Sequence, residues 1–167
     1  EFRRVLFRSG LNRARVRVEV EWLIFLTERG MFGAAPLDPE RVRDLRHFAA
    51  EFGAAEIERL AELEATTRHD VKAVEYLVRE RLADLGLTSV SELVHFACTS
   101  EDVNNLSYAL TVRAAVTGVW LPKLRDVVAR LREIARAERA TPLLARTHGQ
   151  PATPTTFGKE KIGRAHV

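Results

Sequence analysis

Three short stretches gather titratable, hydroxyl and cationic side chains densely enough to do chemistry: Thr67-Arg68-His69-Asp70, Thr99-Ser100-Glu101-Asp102 and Arg146-Thr147-His148-Gly149-Gln150. His148 has the strongest claim to acid–base work, because an imidazole with an ordinary pKa of ~6.5 gives or takes a proton near neutral pH. Gly149 beside it allows close backbone approach, and the prolines that follow restrict the path of the segment. Arg68 supplies a planar fork that matches a carboxylate or a phosphate in a bidentate pair. Each stretch lies at a helix start or end, and a helix N-terminus offers unpaired N–H groups and a positive dipole end to an anion.

Plainer readings stand beside these. His69 next to Asp70 is ordinarily a helix-start pair, and Thr99-Ser100 standing alone reads as a cap. His95 lies in an apolar segment and reads as a packed or hydrogen-bonded core histidine. Cys98 reads as a small buried hydrophobe, and His47 as a surface residue of an amphipathic helix. His47, His69, His95 and His148 show no metal-ligand spacing, and one cysteine builds neither a zinc cluster nor a disulfide. No glycine-rich phosphate loop and no Gly-x-Ser-x-Gly elbow occurs. The residues alone give a helical domain with a candidate acid–base histidine.

The elements that must position these residues read mostly as helices. Asp38-Pro39-Glu40 supplies a cap, a first-turn proline and an acid, and Val42, Leu45, Ala49 and Phe52 then recur on one face before Gly53. Ile57, Leu60 and Leu63 continue as a short amphipathic helix. Asp70 can cap the next, whose stripe of Val74, Leu77, Val78, Leu82 and Leu85 ends at Gly86. Ser91 to Cys98 reads as one short apolar helix. Beyond Thr99 and Ser100 a helix is expected to bury Val103, Leu106, Leu110 and Ala114. Gly118 and Pro122 interrupt, and Leu124, Val127, Leu131 and Ile134 carry a second long helix to about Glu138. Thr141–Pro154 has no periodicity and reads as a polar, proline-rich connection, with a further helix starting after Pro154. Leu11 to Arg29 is ambiguous. Val16, Val18, Val20 and Trp22 alternate with charged residues as in a strand, and Val16, Val20, Leu23, Ile24 and Thr27 fit a helical stripe less cleanly.

At 167 residues and 46% apolar the chain has the composition of a soluble globular protein. No stretch approaches the ~18 consecutive apolar residues of a membrane span, no signal-peptide pattern appears, and a cytoplasmic location is the simplest expectation. A net charge of +3 and a pI of 9.4 raise the question of nucleic-acid binding. Segments 1–9 and 161–167 bear on it, because codons can be chosen that make residues 3–9 and 161–167 reverse complements over about twenty nucleotides, as in translated sequencing adapter. Excluding them removes five Lys or Arg and one Glu, which turns +3 into −1, so neither nucleic acid nor membrane is expected as a partner. The remainder reads as a fragment whose true start and end lie elsewhere.

Arg68-His69-Asp70-Val71-Lys72-Ala73-Val74-Glu75-Tyr76, His95-Phe96-Ala97-Cys98-Thr99-Ser100-Glu101-Asp102-Val103-Asn104-Asn105 and Arg146-Thr147-His148-Gly149-Gln150-Pro151-Ala152-Thr153-Pro154 closely resemble the adenylosuccinate lyases of the fumarase/aspartase superfamily, nearest to the bacterial branch. Arg17-Val18-Glu19-Val20-Glu21-Trp22-Leu23 matches as well, and the resemblance covers essentially all of 10–160. It implies an all-α chain, with a small helical N-terminal domain over 10–98 leading into the start of a long central helix bundle over 99–160. It therefore makes Leu11–Arg29 a helix. It further implies a homotetramer with active sites shared among three subunits, and β-elimination of fumarate from adenylosuccinate or from the succinyl-carboxamide ribotide of purine synthesis. No metal or organic cofactor is implied. By matching position His148 resembles the general acid, Arg68, His69 and Asp70 one substrate-binding strip, and Thr99 with Ser100 another. The family's catalytic serine loop is expected beyond residue 160 and an Arg-Tyr substrate pair upstream of residue 10. A chain of this extent is thus expected to be inactive and, with a bundle cut at its first long helix, poorly soluble. Argininosuccinate lyase or a carboxymuconate cycloisomerase is the alternative within the superfamily. A non-catalytic helical module, whose polar loops are only caps, is the alternative outside it.

Overall fold

The computed structural model describes residues 8–162, so the adapter reading of 1–9 and 161–167 falls, apart from Arg8, Ser9, Lys161 and Ile162, outside the described residues. The chain divides into two compact units, 1–115 and 116–167. In the first, helices α1 (Arg8–Glu28), α2 (Pro39–Ala50), α3 (Ala54–Thr67), α4 (Asp70–Asp84) and α5 (Ser100–Ala115) follow in order, with 3-10 turns at Met31–Gly33 and Thr88–Leu93. In the second, a π-helical turn Val116–Trp120 leads into α6 (Leu121–Ala137), a hairpin of β1 (Pro142–Thr147) and β2 (Gln150–Thr156), and α7 (Phe157–Ile162).

The ambiguous first segment is a 21-residue helix. Its buried face holds Asn12, Arg15, Val16, Glu19, Val20, Leu23 and Thr27, a helical repeat in which four of seven positions are polar or charged. The strand-like alternation was misleading because Arg15 and Glu19 are inside while Val18 and Trp22 are only half-buried. Around α1 pack α2, α4 and α5. The core they enclose is built on Leu23, Ile24, Leu45, Phe52, Val74 and Leu82, each no more than 2% exposed. Burying side chains of this size contributes roughly 1.5–3 kcal/mol apiece before chain entropy is counted.

Three local expectations change. Ser91–Cys98 is not one helix: a 3-10 turn closes at Leu93, and His95 (φ 60°) and Ala97 (φ 58°) take left-handed backbone that no helix accommodates. Trp22 Nε1–H donates to the Phe96 carbonyl at 2.8 Å and helps hold that path. Helix α5 is also rotated relative to the expected stripe. It buries Val103, Asn104, Ser107, Thr111 and Ala115, and Leu106 is 58% exposed. Small and polar residues let α5 lie along α1, and the first compact unit takes in α5 as far as Ala115.

The third change is in the second unit, where Thr141–Pro154 forms most of an antiparallel hairpin within an otherwise helical chain. Thr147 pairs with Gln150 across a two-residue turn in which His148 (φ 48°) and Gly149 (φ 77°) both have positive φ, the requirement of a type I′ turn. Arg146 pairs with Pro151, the position next to the closing pair, where antiparallel alternation asks for no N–H from the proline. Those prolines, and a bulge between Leu144 and Arg146, erased the alternation that would have announced strands. The hairpin is tied back by Phe157 N–H to the Thr141 carbonyl (2.9 Å) and Gly158 N–H to the Glu138 carbonyl (3.0 Å).

Candidate functional site

Two of the three stretches meet in the first unit. Helix α3 is closed by Arg68 in left-handed backbone (φ 52°), and α4 begins two residues later, so only Arg68 and His69 lie between the two helices. His69, rather than Asp70, is the N-cap of α4. Its extended backbone (φ −148°) lets Nδ1 accept the Lys72 N–H at 3.1 Å. That acceptor role leaves the proton of a neutral ring on Nε2, which lies 3.4 Å from Ser100 Oγ. Ser100 is the first residue of α5, and Thr99 is its cap. Thr99 N–H and Oγ–H both donate to Asp102 Oδ2 (2.7 and 2.8 Å), and Asp102 N–H returns to Thr99 Oγ1 at 3.4 Å. Those bonds hold the Asp102 carboxyl below its usual range. Thr99's hydroxyl is thus committed to the cap, whereas Ser100's faces the neighbouring helix start.

Asp70 has a different surrounding. Burial would raise its carboxyl, but the Arg15 guanidinium and the Val71 N–H (2.9 Å) outweigh that and hold it below the ordinary carboxylate value. The Arg15–Asp70 ion pair is 2.8 Å long, with Arg15 almost wholly buried and Asp70 half exposed. The arrangement at this end of the unit is two helix N-termini, an exposed Arg68, and an imidazole Nε2 beside a serine hydroxyl. It can receive an anion and hydrogen-bond it from more than one side.

His148 stands exposed at the tip of the hairpin in the second unit, on a turn whose backbone only a few residue types accept. Histidine is among the types enriched there, and the tight turn presents its ring to solvent at a fixed place on the strand pair. His47 is exposed, as read. His95 is hydrogen-bonded as expected, its Nδ1 lying 2.6 Å from Oε1 of the fully buried Glu19. Burial pushes the Glu19 carboxyl up, the bond to His95 pulls it back, and the net direction is upward. Cys98 is half-buried, and burial with the nearby Glu19 and Asp102 carboxyls raises its thiol.

Sequence reasoning missed Arg15, Asn12, Glu19 and Asn104. Asn12, Arg15 and Glu19 recur at helical spacing on one face of α1, a polar stripe that the strand-like alternation concealed. Among the described residues no cluster of three or more His, Cys, Asp or Glu could hold a metal ion, and no helix is long and apolar enough to cross a membrane.

The fold is that of the fumarate lyases. The fumarate lyase from Mesorhizobium sp. BNC1 superposes with a TM-score of 0.75 at 20% identity, over 97% of this chain and 36% of its own. The 3-carboxy-cis,cis-muconate lactonizing enzyme from Pseudomonas putida does so with a TM-score of 0.69 at 22% identity, again over 97% of this chain. A protein-family profile described as lyase matches residues 15–166, and the chain belongs to that lyase family. It is 43% identical to the adenylosuccinate lyase of Vibrio cholerae over 166 residues and 44% identical to that of Escherichia coli K12 over 159. These alignments take in 98% and 94% of this chain and 36% and 35% of the relatives, so the chain spans about a third of the length of the proteins it matches.

Proposed function

We propose that this chain is a segment of an adenylosuccinate lyase acting in purine biosynthesis, in the cytoplasm and as a homotetramer when whole. In the reaction a base removes a proton from the succinyl carbon, the C–N bond breaks as the C=C of fumarate forms, and an acid protonates the departing nitrogen. His148 is that acid, an imidazolium able to protonate a leaving amine near neutral pH without a metal. Arg68, His69 and Asp70 form one substrate-binding strip and Thr99 with Ser100 the other, Thr99 through the cap that aims the start of α5 at the substrate. The base comes from sequence outside 10–160, so the chain by itself does not turn over.

The observation that carries this reading is the approach of His69 Nε2 to Ser100 Oγ, 3.4 Å across 31 residues of sequence, at the paired N-termini of α4 and α5. A substrate bearing a phosphate and two carboxylates suits such a setting. The test is a chimera in which residues 10–160 replace the matching segment of the Escherichia coli enzyme, assayed for fumarate release from adenylosuccinate. Turnover is expected from the chimera, a loss of about 10²–10⁴-fold from its His148→Ala variant, and none from the 167-residue chain alone. A folded, correctly assembled chimera with no turnover would refute the assignment and make argininosuccinate the next substrate to try. Turnover by the isolated chain would overturn its predicted inactivity.

A further inference from the structure

We infer that Arg15 is a positioning residue of this site, setting the distance between His69 and Ser100 without touching either. The inference rests on the functional reading above for its consequence in catalysis, and on geometry alone for the coupling itself.

Arg15 is 5% exposed, and each of its three guanidinium nitrogens has its own partner on a different stretch of chain. Nε–H donates to Asn104 Oδ1 at 2.9 Å, Nη1–H to Asn12 Oδ1 at 3.0 Å, and Nη2 pairs with Asp70 Oδ2 at 2.8 Å. Asp70 adjoins His69 and is the first residue of α4. Asn104 lies one turn after Ser100 on α5, and its amide also donates to Glu101 Oε1 at 3.0 Å. A guanidinium is planar and rigid, so three acceptors bound to its three nitrogens cannot shift independently. The two helix starts are therefore registered to each other through one buried group on α1. A lysine keeps the charge but offers a compact ammonium instead of the fork, and methionine of similar length offers neither.

Arg15→Met and Arg15→Lys in the chimera, assayed well below each variant's unfolding midpoint, read the consequence in catalysis. The KM for adenylosuccinate is expected to rise at least about tenfold in Arg15→Met and less in Arg15→Lys, as misplaced binding groups cost affinity and rate. Val20→Ala, on the same helix and fully buried, lowers the midpoint but leaves KM within about twofold. Arg15 variants that lose midpoint with an unchanged KM would overturn the inference, and if Arg15→Met does not fold, Arg15→Lys carries the comparison. An inactive parent chimera would instead count against the functional reading. The coupling is then read in the 167-residue chain itself. With Arg15 present, the effects of Asp70→Asn and Asn104→Ala on the unfolding constant depart from multiplicativity by about tenfold; in Arg15→Lys they multiply. Multiplicativity with Arg15 present would refute the coupling.

Discussion

Replacing Gly158 by alanine asks whether backbone contact between α7 and α6 holds the hairpin that carries His148. Gly158, in α7, is buried against the end of α6, and a β-carbon there would collide with the Ala135 carbonyl oxygen and stand 2.8 and 2.9 Å from Arg139 Cα and N. Ordinary contact begins near 3.4 Å, so α7 must retreat by roughly half an ångström or more, and no rotamer change relieves a clash with backbone. Overpacking costs typically about 1–3 kcal/mol, and a middle value of about 2 corresponds to a roughly thirtyfold change in a local opening constant. The first bonds to feel it are those of Phe157 N–H to Thr141 and Gly158 N–H to Glu138. Amide hydrogen exchange at residues 157 and 158 is therefore expected to accelerate about thirtyfold in Gly158→Ala, with amides of α1 and α4 unchanged. A second substitution sharpens the argument. Ala135→Gly removes a side chain but not the carbonyl oxygen that clashes, so the double variant should exchange as fast as the single one. Exchange within about threefold of the parent, or rescue by Ala135→Gly, would refute the reasoning.

Asp70→Asn leaves the buried Arg15 without its charge partner. Breaking a fully buried pair costs about 3–5 kcal/mol, and because Asp70 is half exposed a loss of about 1–2 is expected in urea unfolding. Asp70's carboxyl lies below its ordinary value of 3.8, so the stabilisation is present above that pH and is lost as pH falls through the lower folded value; the parent and Asp70→Asn should converge in strong acid. Glu19 works in the opposite sense. Its carboxyl is raised above 4.5 by burial, and its Oε2 has no partner among the described residues. The folded state favours the protonated acid, and stability is lost as pH rises through the raised value. The stability of the parent relative to Glu19→Gln should therefore decline from pH 4 toward neutrality, measured by urea unfolding at matched pH. A gap that widens instead would mean the His95 bond outweighs desolvation.

The sequence by itself determined most of the helices. Caps, first-turn acids and apolar stripes are local, and α2, α3, α4 and α6 lie within a few residues of where those signals put them. It also singled out the residue types at which chemistry is proposed, because hydroxyls, imidazoles and an arginine near helix ends are visible one residue at a time. What tertiary structure alone decided follows from contact between distant segments. Whether α1 was helix or strand turned on Arg15 and Glu19 being inside, and their partners Asp70, Asn104 and His95 lie over fifty residues away. The rotation of α5 was set by its need to lie along α1 rather than by its own most apolar stripe. The hairpin under His148 was concealed by prolines that a two-stranded ladder tolerates at its unbonded positions. Capping by His69 instead of Asp70 has the same origin. The buried guanidinium claims the Asp70 carboxylate, and the imidazole beside it is left to take the helix N–H and to face Ser100.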